Sequence, residues 1–163
     1  MTKFIQTTKI FNWLETKLIN RQCGIICESP SQRSFDAIQN FIESHEQPFK
    51  TLVTYYEAFP QENALEFCST LAKELESKLG NFSTDSKRPL AEVIQDAGLK
   101  TIVIDNCYLC PQDTLDKLLH FFSDCQVSII LVGEREKMIS ANILDHSVIS
   151  KWDILEFNTT LQI

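Results

Sequence analysis

The sequence predicts an α/β fold in three layers: an open, mainly parallel five-stranded sheet with helices on both faces. Three observations carry this reading. Five short runs rich in apolar and β-branched residues, at 23–27, 50–56, 101–105, 127–132 and 154–157, are strand-length rather than helix-length. The stretches between them show apolar residues at helical spacing, and they are long enough to be the crossovers that parallel neighbours require. In 101–105 the apolar residues do not alternate, as expected of a strand covered on both faces.

The first element is a helix over 4–19, with Phe4 and Trp13 on or beside a stripe of Ile10, Phe11, Leu14 and Leu18. The run 23–27 follows as a buried strand, then the turn 28–31 and a helix marked by Phe35, Ile38, Phe41 and Ile42. After the strand 50–56, residues 62–79 form a helix whose inner face is read as Leu65, Cys68, Leu71, Ala72, Leu75 and Leu79, with a stop at Gly80-Asn81. The polar stretch 81–88 is an expected exposed loop. Pro89 opens a short helix over 90–97, and Gly98 ends it. The strand 101–105 leads to a helix at 112–124 with Leu115, Leu118, Leu119 and Phe122 on one side. The strand 127–132, a short helix at 139–144 and the strand 154–157 complete the order.

With 163 residues and 44% hydrophobic content, the chain can bury one sizeable core, so 1–163 is expected to be a single domain. Eleven Phe supply much of the apolar volume, and the low count of 4 Gly and 5 Pro argues against disorder. A net charge of -7 creates no long-range attraction for a nucleic-acid backbone, so direct nucleic-acid binding is not expected, and Lys87-Arg88 reads as a solvated pair. No run approaches the ~20 apolar residues of a membrane span, and no membrane partner is expected. The N-terminal segment carries polar and acidic residues too early for a secretory signal, so the cytoplasm is the expected location.

Six cysteines in such a chain read as buried free thiols. Cys107-x-x-Cys110 has the spacing of half a zinc or redox site, but no second pair completes it, and His45, His120 and His146 form no sequence-near ligand set. No metal and no cofactor is expected.

The turn between the first strand and the next helix has the length and place of the phosphate-cradling motif G-x-x-x-x-G-K-[ST]. Here it reads Cys27-Glu28-Ser29-Pro30-Ser31-Gln32-Arg33-Ser34. Cys27 and Gln32 put side chains where glycines let the backbone wrap a phosphate. Arg33 keeps the positive charge of the motif's Lys but spreads it over a planar fork. Glu28 places a negative charge inside the cradle, and Ser34 alone keeps the metal-reaching hydroxyl. As an ordinary strand-to-helix turn, the same segment offers Ser29 and Ser31 as helix caps. The strand 101–105 ends on Asp105, where a metal-orienting acid belongs, and Asn106 follows, whose amide is no general base. Asp105 can alternatively cap a loop or pair with Arg33.

Together these segments resemble the AAA+ ATPases, a three-layer P-loop NTPase-like fold, in a degenerate form closest to transposition-helper ATPases of the TniB/TnsC/IstB kind. The resemblance rests on CGIICESPSQRS, TIVIDN, TLDKLLHFF and SIILVG, and covers about 4–158. It implies a nucleotide or anion site at Arg33, Ser34 and Asp105. The phosphate-sensing polar residue of such a fourth strand is not evident in Leu131-Val132-Gly133-Glu134, Lys151 stands near the place of an arginine finger, and a C-terminal helical lid is not apparent. The expected function is a non-catalytic regulatory or protein-interaction module with no enzyme activity. Its expected partner is a related AAA+ ATPase or a second copy. The alternatives are a weak Mg-nucleotide-binding subunit completed in trans and a nucleic-acid-associated transposition protein. A flavodoxin-like or receiver-like open sheet is the alternative fold.

Overall fold

Each central strand alternates its buried side chains between two cores, and this alternation fixes the layers. The structure, a computed structural model, describes residues 2–80 and 88–157, with side chains from Thr7 onward. The strands β1 (Gly24–Glu28), β2 (Val53–Glu57), β3 (Thr101–Asp105), β4 (Ser128–Glu134) and β5 (Asp153–Phe157) form one parallel sheet in the order β2-β3-β4-β1-β5. Ile26, Val103, Ile130 and Leu155 point into a core beneath α1 (Thr2–Asn20) and α2 (Phe35–Ser44). Ile25, Ile102, Ile104, Ile129 and Leu131 point into the opposite core. That core is closed by α3 (Ala64–Lys78), α4 (Leu90–Ala97), α5 (Gln112–Asp124) and α6 (Arg135–Ser140).

The strand order places β1 between β4 and β5, which removes the flavodoxin-like alternative, whose first strand lies between its second and third. All five expected strands are present. β2 begins at Val53 rather than at residue 50, because Lys50 closes a tight turn with Gln47. β4 runs on through Glu134, and α6 follows at once over Arg135–Ser140 instead of 139–144. There Met138 is the buried residue, and Ile143 reaches the core from the turn that follows.

The inner face of α3 also differs from the expected one. Phe67, Leu71 and Leu75 are buried, whereas Leu65 is 80% exposed. Leu65 lies six residues before Leu71, about 120° around the helix from it, and so leaves the buried stripe. The N-terminus of α3 is fixed by a capping box in which Asn63 accepts from the Glu66 N–H and Glu66 accepts from the Asn63 N–H. Gly98 ends α4 in the left-handed conformation at φ 71°, as a C-terminal glycine should. Of the polar stretch expected to be a loop, 81–87 lies outside the described residues. Arg88 is not a solvated cation: it binds Glu76 at 3.0 Å, Glu92 at 3.1 Å and Asp96, tying α3 to α4.

β1 begins under a tryptophan. A Cβ on Gly24 would come within 2.5 Å of the Trp13 ring. That ring cannot easily retreat, since its Nε1 donates to Asp153 at 3.0 Å and Lys17 stacks over it at 5.2 Å. Lys17 and then Trp13 hold the Asp153 carboxyl below its ordinary pKa. Gly24→Ala is therefore expected to destabilise the fold by about 1–3 kcal/mol, as overpacking does. Urea unfolding followed by tryptophan fluorescence measures this, and an unchanged midpoint would show that the Trp13 seat is loose.

Candidate functional site

Parallel strands bring their carboxyl ends to one edge, where open α/β sheets place functional groups. Four of the five strands here end on an acid: Glu28, Glu57, Asp105 and Glu134. The register sets Glu28 beside Glu134 and Glu57 beside Asp105. Sequence reading singled out Asp105 and Glu28 but missed this acidic row, because it depends on which residues end each strand.

The turn after β1 brings Arg33 and Ser34 into the same place. Glu28 is buried, and its Oε2 accepts the backbone N–H of Ser34 at the entrance to α2. Its Oε1 faces Arg33 Nε at 3.4 Å without hydrogen-bond geometry. Two other positions of the loop offer no free N–H. Pro30 has no N–H, and the Gln32 N–H donates to the Ser29 carbonyl at 3.1 Å. The hydroxyl of Ser34 is fully buried; it lies near Glu28 but makes no hydrogen bond of acceptable geometry. Ser29 and Ser31 do not cap α2, as the capping reading expected. The helix begins only at Phe35, and the two hydroxyls face each other at 3.4 Å.

Arg33 reaches from the loop to β3. Its Nη2 lies 3.8 Å from Asp105 Oδ2 and donates to Asn106 Oδ1 at 3.2 Å. The expected pairing of Arg33 with Asp105 is thus present, and Glu28 shares the same guanidinium. Asp105 is itself buried and fully engaged, its Oδ1 accepting from the Asn106 N–H at 2.7 Å and its Oδ2 from the Tyr55 hydroxyl. Asn106 sits in the left-handed region at φ 52°, which Asn tolerates better than most residues, and its Nδ2 donates to Glu57 at 3.0 Å. Tyr55, which sequence reading placed only in a strand, is held in turn by Phe35 packed edge-on at 5.2 Å.

The charges respond to this crowding. Burial pushes the Glu28 pKa up; the Ser34 N–H and hydroxyl pull it back, Asp105 raises it further and Arg33 lowers it. Burial works against the Arg33 charge, but Glu28 and then Asp105 outweigh it and drive its pKa up. Burial followed by the hydrogen bond to Asp105 raises the Tyr55 pKa, so its hydroxyl stays protonated as a donor.

The other residues weighed from sequence fall elsewhere. All six cysteines are free. Burial raises the Cys107 pKa well above the ordinary thiol value and pushes Cys110 up to about 12, so neither supplies a reactive thiolate at neutral pH. Among the described residues no group of three or more His, Cys, Asp or Glu is placed to hold a metal. His45 faces Glu15 at 2.7 Å and His146 faces Asp116 at 2.5 Å, both away from the loop. Lys151 lies in a single 3-10 turn, Ile149–Lys151, and is exposed. Two open clefts, of about 750 and 580 Å³, are lined by other residues and include none of Arg33, Ser34 and Asp105.

A parallel sheet in this order, a strand-to-helix loop after β1 and an acid ending β3 define an open P-loop NTPase-type core. The family model described as AAA domain (AAA_22) matches residues 11–137, and the chain belongs to that family. This agrees with the AAA+ resemblance of the loop and of the strand ending in Asp105. No curated protein matches the chain. No helix among the described residues is long and apolar enough to cross a membrane.

The raised pKa of Glu28 sets the sign of a pH effect. A carboxyl whose folded pKa lies above its unfolded value stabilises the protein below the unfolded value, near 4.5, and loses that contribution as pH rises through the folded pKa. Glu28→Gln lacks this loss. Its stability relative to wild type should therefore climb as pH goes from 4.5 to neutrality, read from denaturant unfolding of both proteins across that range. A relative stability that falls with pH would mean that Ser34 and Arg33 hold the carboxylate ionised.

Proposed function

We propose that this chain is a non-catalytic regulatory or protein-interaction module built on an AAA+ core, acting through contact with a protein partner. A related AAA+ ATPase or a second copy of the chain is the partner that this origin suggests. The observation that carries the reading is the commitment of Arg33. The cation that would neutralise phosphate is instead shared by Glu28 and Asp105 and hydrogen-bonded to Asn106.

Phosphoryl transfer is almost wholly positioning and charge stabilisation, so the fit of those groups decides the matter. A nucleotide triphosphate would meet a row of four carboxylates at the strand ends. A Mg²⁺ ion would require the Ser34 hydroxyl and a free Asp105 oxygen. Both Asp105 oxygens already accept hydrogen bonds, and the Arg33 guanidinium lies on that side as a resident cation. The residues present do not fit the metal, and Asn106 cannot serve as the base that activates water. No hydrolytic step follows from this arrangement. A subunit completed in trans would still need Arg33 released from two acids. The acidic rim likewise disfavours a nucleic-acid backbone, in keeping with the net charge of -7.

Calorimetric titration with ATP and with ADP, each with Mg²⁺, tests the reading. We expect no saturable heat and no thermal shift at millimolar nucleotide. Saturable binding that weakens on Arg33→Ala or Asp105→Ala in a folded protein would overturn it, and would favour the nucleotide-binding subunit.

A further inference from the structure

The loop after β1 gathers three donor groups around one carboxylate, of which the Ser34 N–H bonds it and the Arg33 guanidinium lies beside it as an ion pair. The Ser34 N–H stands at the N-terminus of α2, a helix of 10 residues, and donates to Glu28. The Ser34 hydroxyl beside it is 0% exposed and has no hydrogen-bond partner. The Arg33 guanidinium approaches the same carboxylate at 3.4 Å, with its side chain 46% exposed to solvent. A backbone N–H at a helix N-terminus, a buried hydroxyl and a half-exposed guanidinium together form a donor set for an oxyanion. The negative group they surround belongs to the chain itself.

We propose that the Glu28 carboxylate is an intramolecular ligand standing in for an oxyanion, and that withdrawing it opens the loop to a small inorganic oxyanion such as pyrophosphate. The inference rests on the reading that the loop of the native chain is closed to nucleotide, and it names what closes it. With the Glu28 carboxylate gone, the Ser34 N–H loses its acceptor and Arg33 loses one of its two acids. The Ser34 hydroxyl gains room to turn toward an incoming oxygen. The like-charge repulsion that a phosphate meets at this position falls by one unit. Asp105 and Asn106 still hold the outer side of the Arg33 fork, so the guanidinium stays positioned over the loop. The occluding contact is therefore local: it lies between residues six apart in the chain and requires no partner or domain movement.

The test compares wild type, Glu28→Ala and the double variant Glu28→Ala/Arg33→Ala, titrated calorimetrically with inorganic pyrophosphate at pH 7.5 and low salt. Glu28→Ala should bind roughly ten-fold or more tightly than wild type, the gain expected for freeing charge-assisted donors, and the double variant should lose that gain. A Glu28→Ala protein with native circular dichroism that binds no better than wild type would overturn the inference. Glu28→Gln guards against a folding defect, since it keeps the side-chain volume and the carbonyl that accepts the Ser34 N–H. It should show a smaller gain of the same sign, and a folded Glu28→Gln with no gain also counts against the plug. The two readings fail differently. Mg-nucleotide binding by wild type overturns the non-catalytic reading, whereas a silent Glu28→Ala beside a silent wild type overturns only the plug.

Discussion

A carboxylate buried at the end of a central strand must find donors close by, and at Glu28 this requirement organises everything around it. β1 is flanked by β4 and β5, and Glu28 at its end is buried. Leaving such a charge unpaired would cost far more than any local rearrangement of the loop. The nearest donors are the N–H of Ser34 and the guanidinium of Arg33, and the loop folds so that both face the carboxylate. Once Arg33 is drawn in, its other end meets Asp105 and Asn106. Asp105 is then completed by Tyr55, and Tyr55 by Phe35. One buried charge thus joins the end of β1, the start of α2, and the ends of β2 and β3 into a single polar network.

That network shows how an AAA domain keeps its sheet while donors of its first loop are engaged within the chain. The architecture depends on the two apolar cores, which alternate along every central strand and need nothing from the loop. The strand ends are free to change chemistry because the cores hold the sheet without them. A phosphate loop works by presenting unclaimed N–H groups and an unclaimed cation. Here Pro30 removes one donor, Gln32 satisfies Ser29, and Ser34 satisfies Glu28. The loop retains the length of its motif and directs its Gln32 and Ser34 N–H groups inside the molecule.

Much of the fold was legible in the sequence, because short β-branched runs and helical stripes are local signals. All five strands and the ends marked by Gly80 and Gly98 could be read in this way. Leu65 could not, since its place on α3 depends on which side of the helix meets the sheet. The position of α6 was misread because Ile139, Ile143 and Leu144 mimic a helical stripe, while only the first of them belongs to the helix. At the site, Arg33, Ser34 and Asp105 were recognisable from the motif, and the structure brings them together. Tyr55 and Glu57 were not recognisable, because they reach Asp105 and Asn106 only through the pairing of β2 with β3, about fifty residues away. The role of Glu28 was half visible: its charge was evident in the cradle, but its hydrogen bond to Ser34 depends on how the loop turns.

The backbone amide of Ser34 reports on the central claim most directly. In an amide NMR titration, its proton resonance should lie downfield at neutral pH, where it is bonded to a carboxylate. It should move upfield as Glu28 is protonated, and stay fixed when Mg-ATP is added at pH 7.5. A Ser34 resonance that is indifferent to acid but shifts with Mg-ATP would contradict the account, because it would show the donor free of Glu28 and available to phosphate.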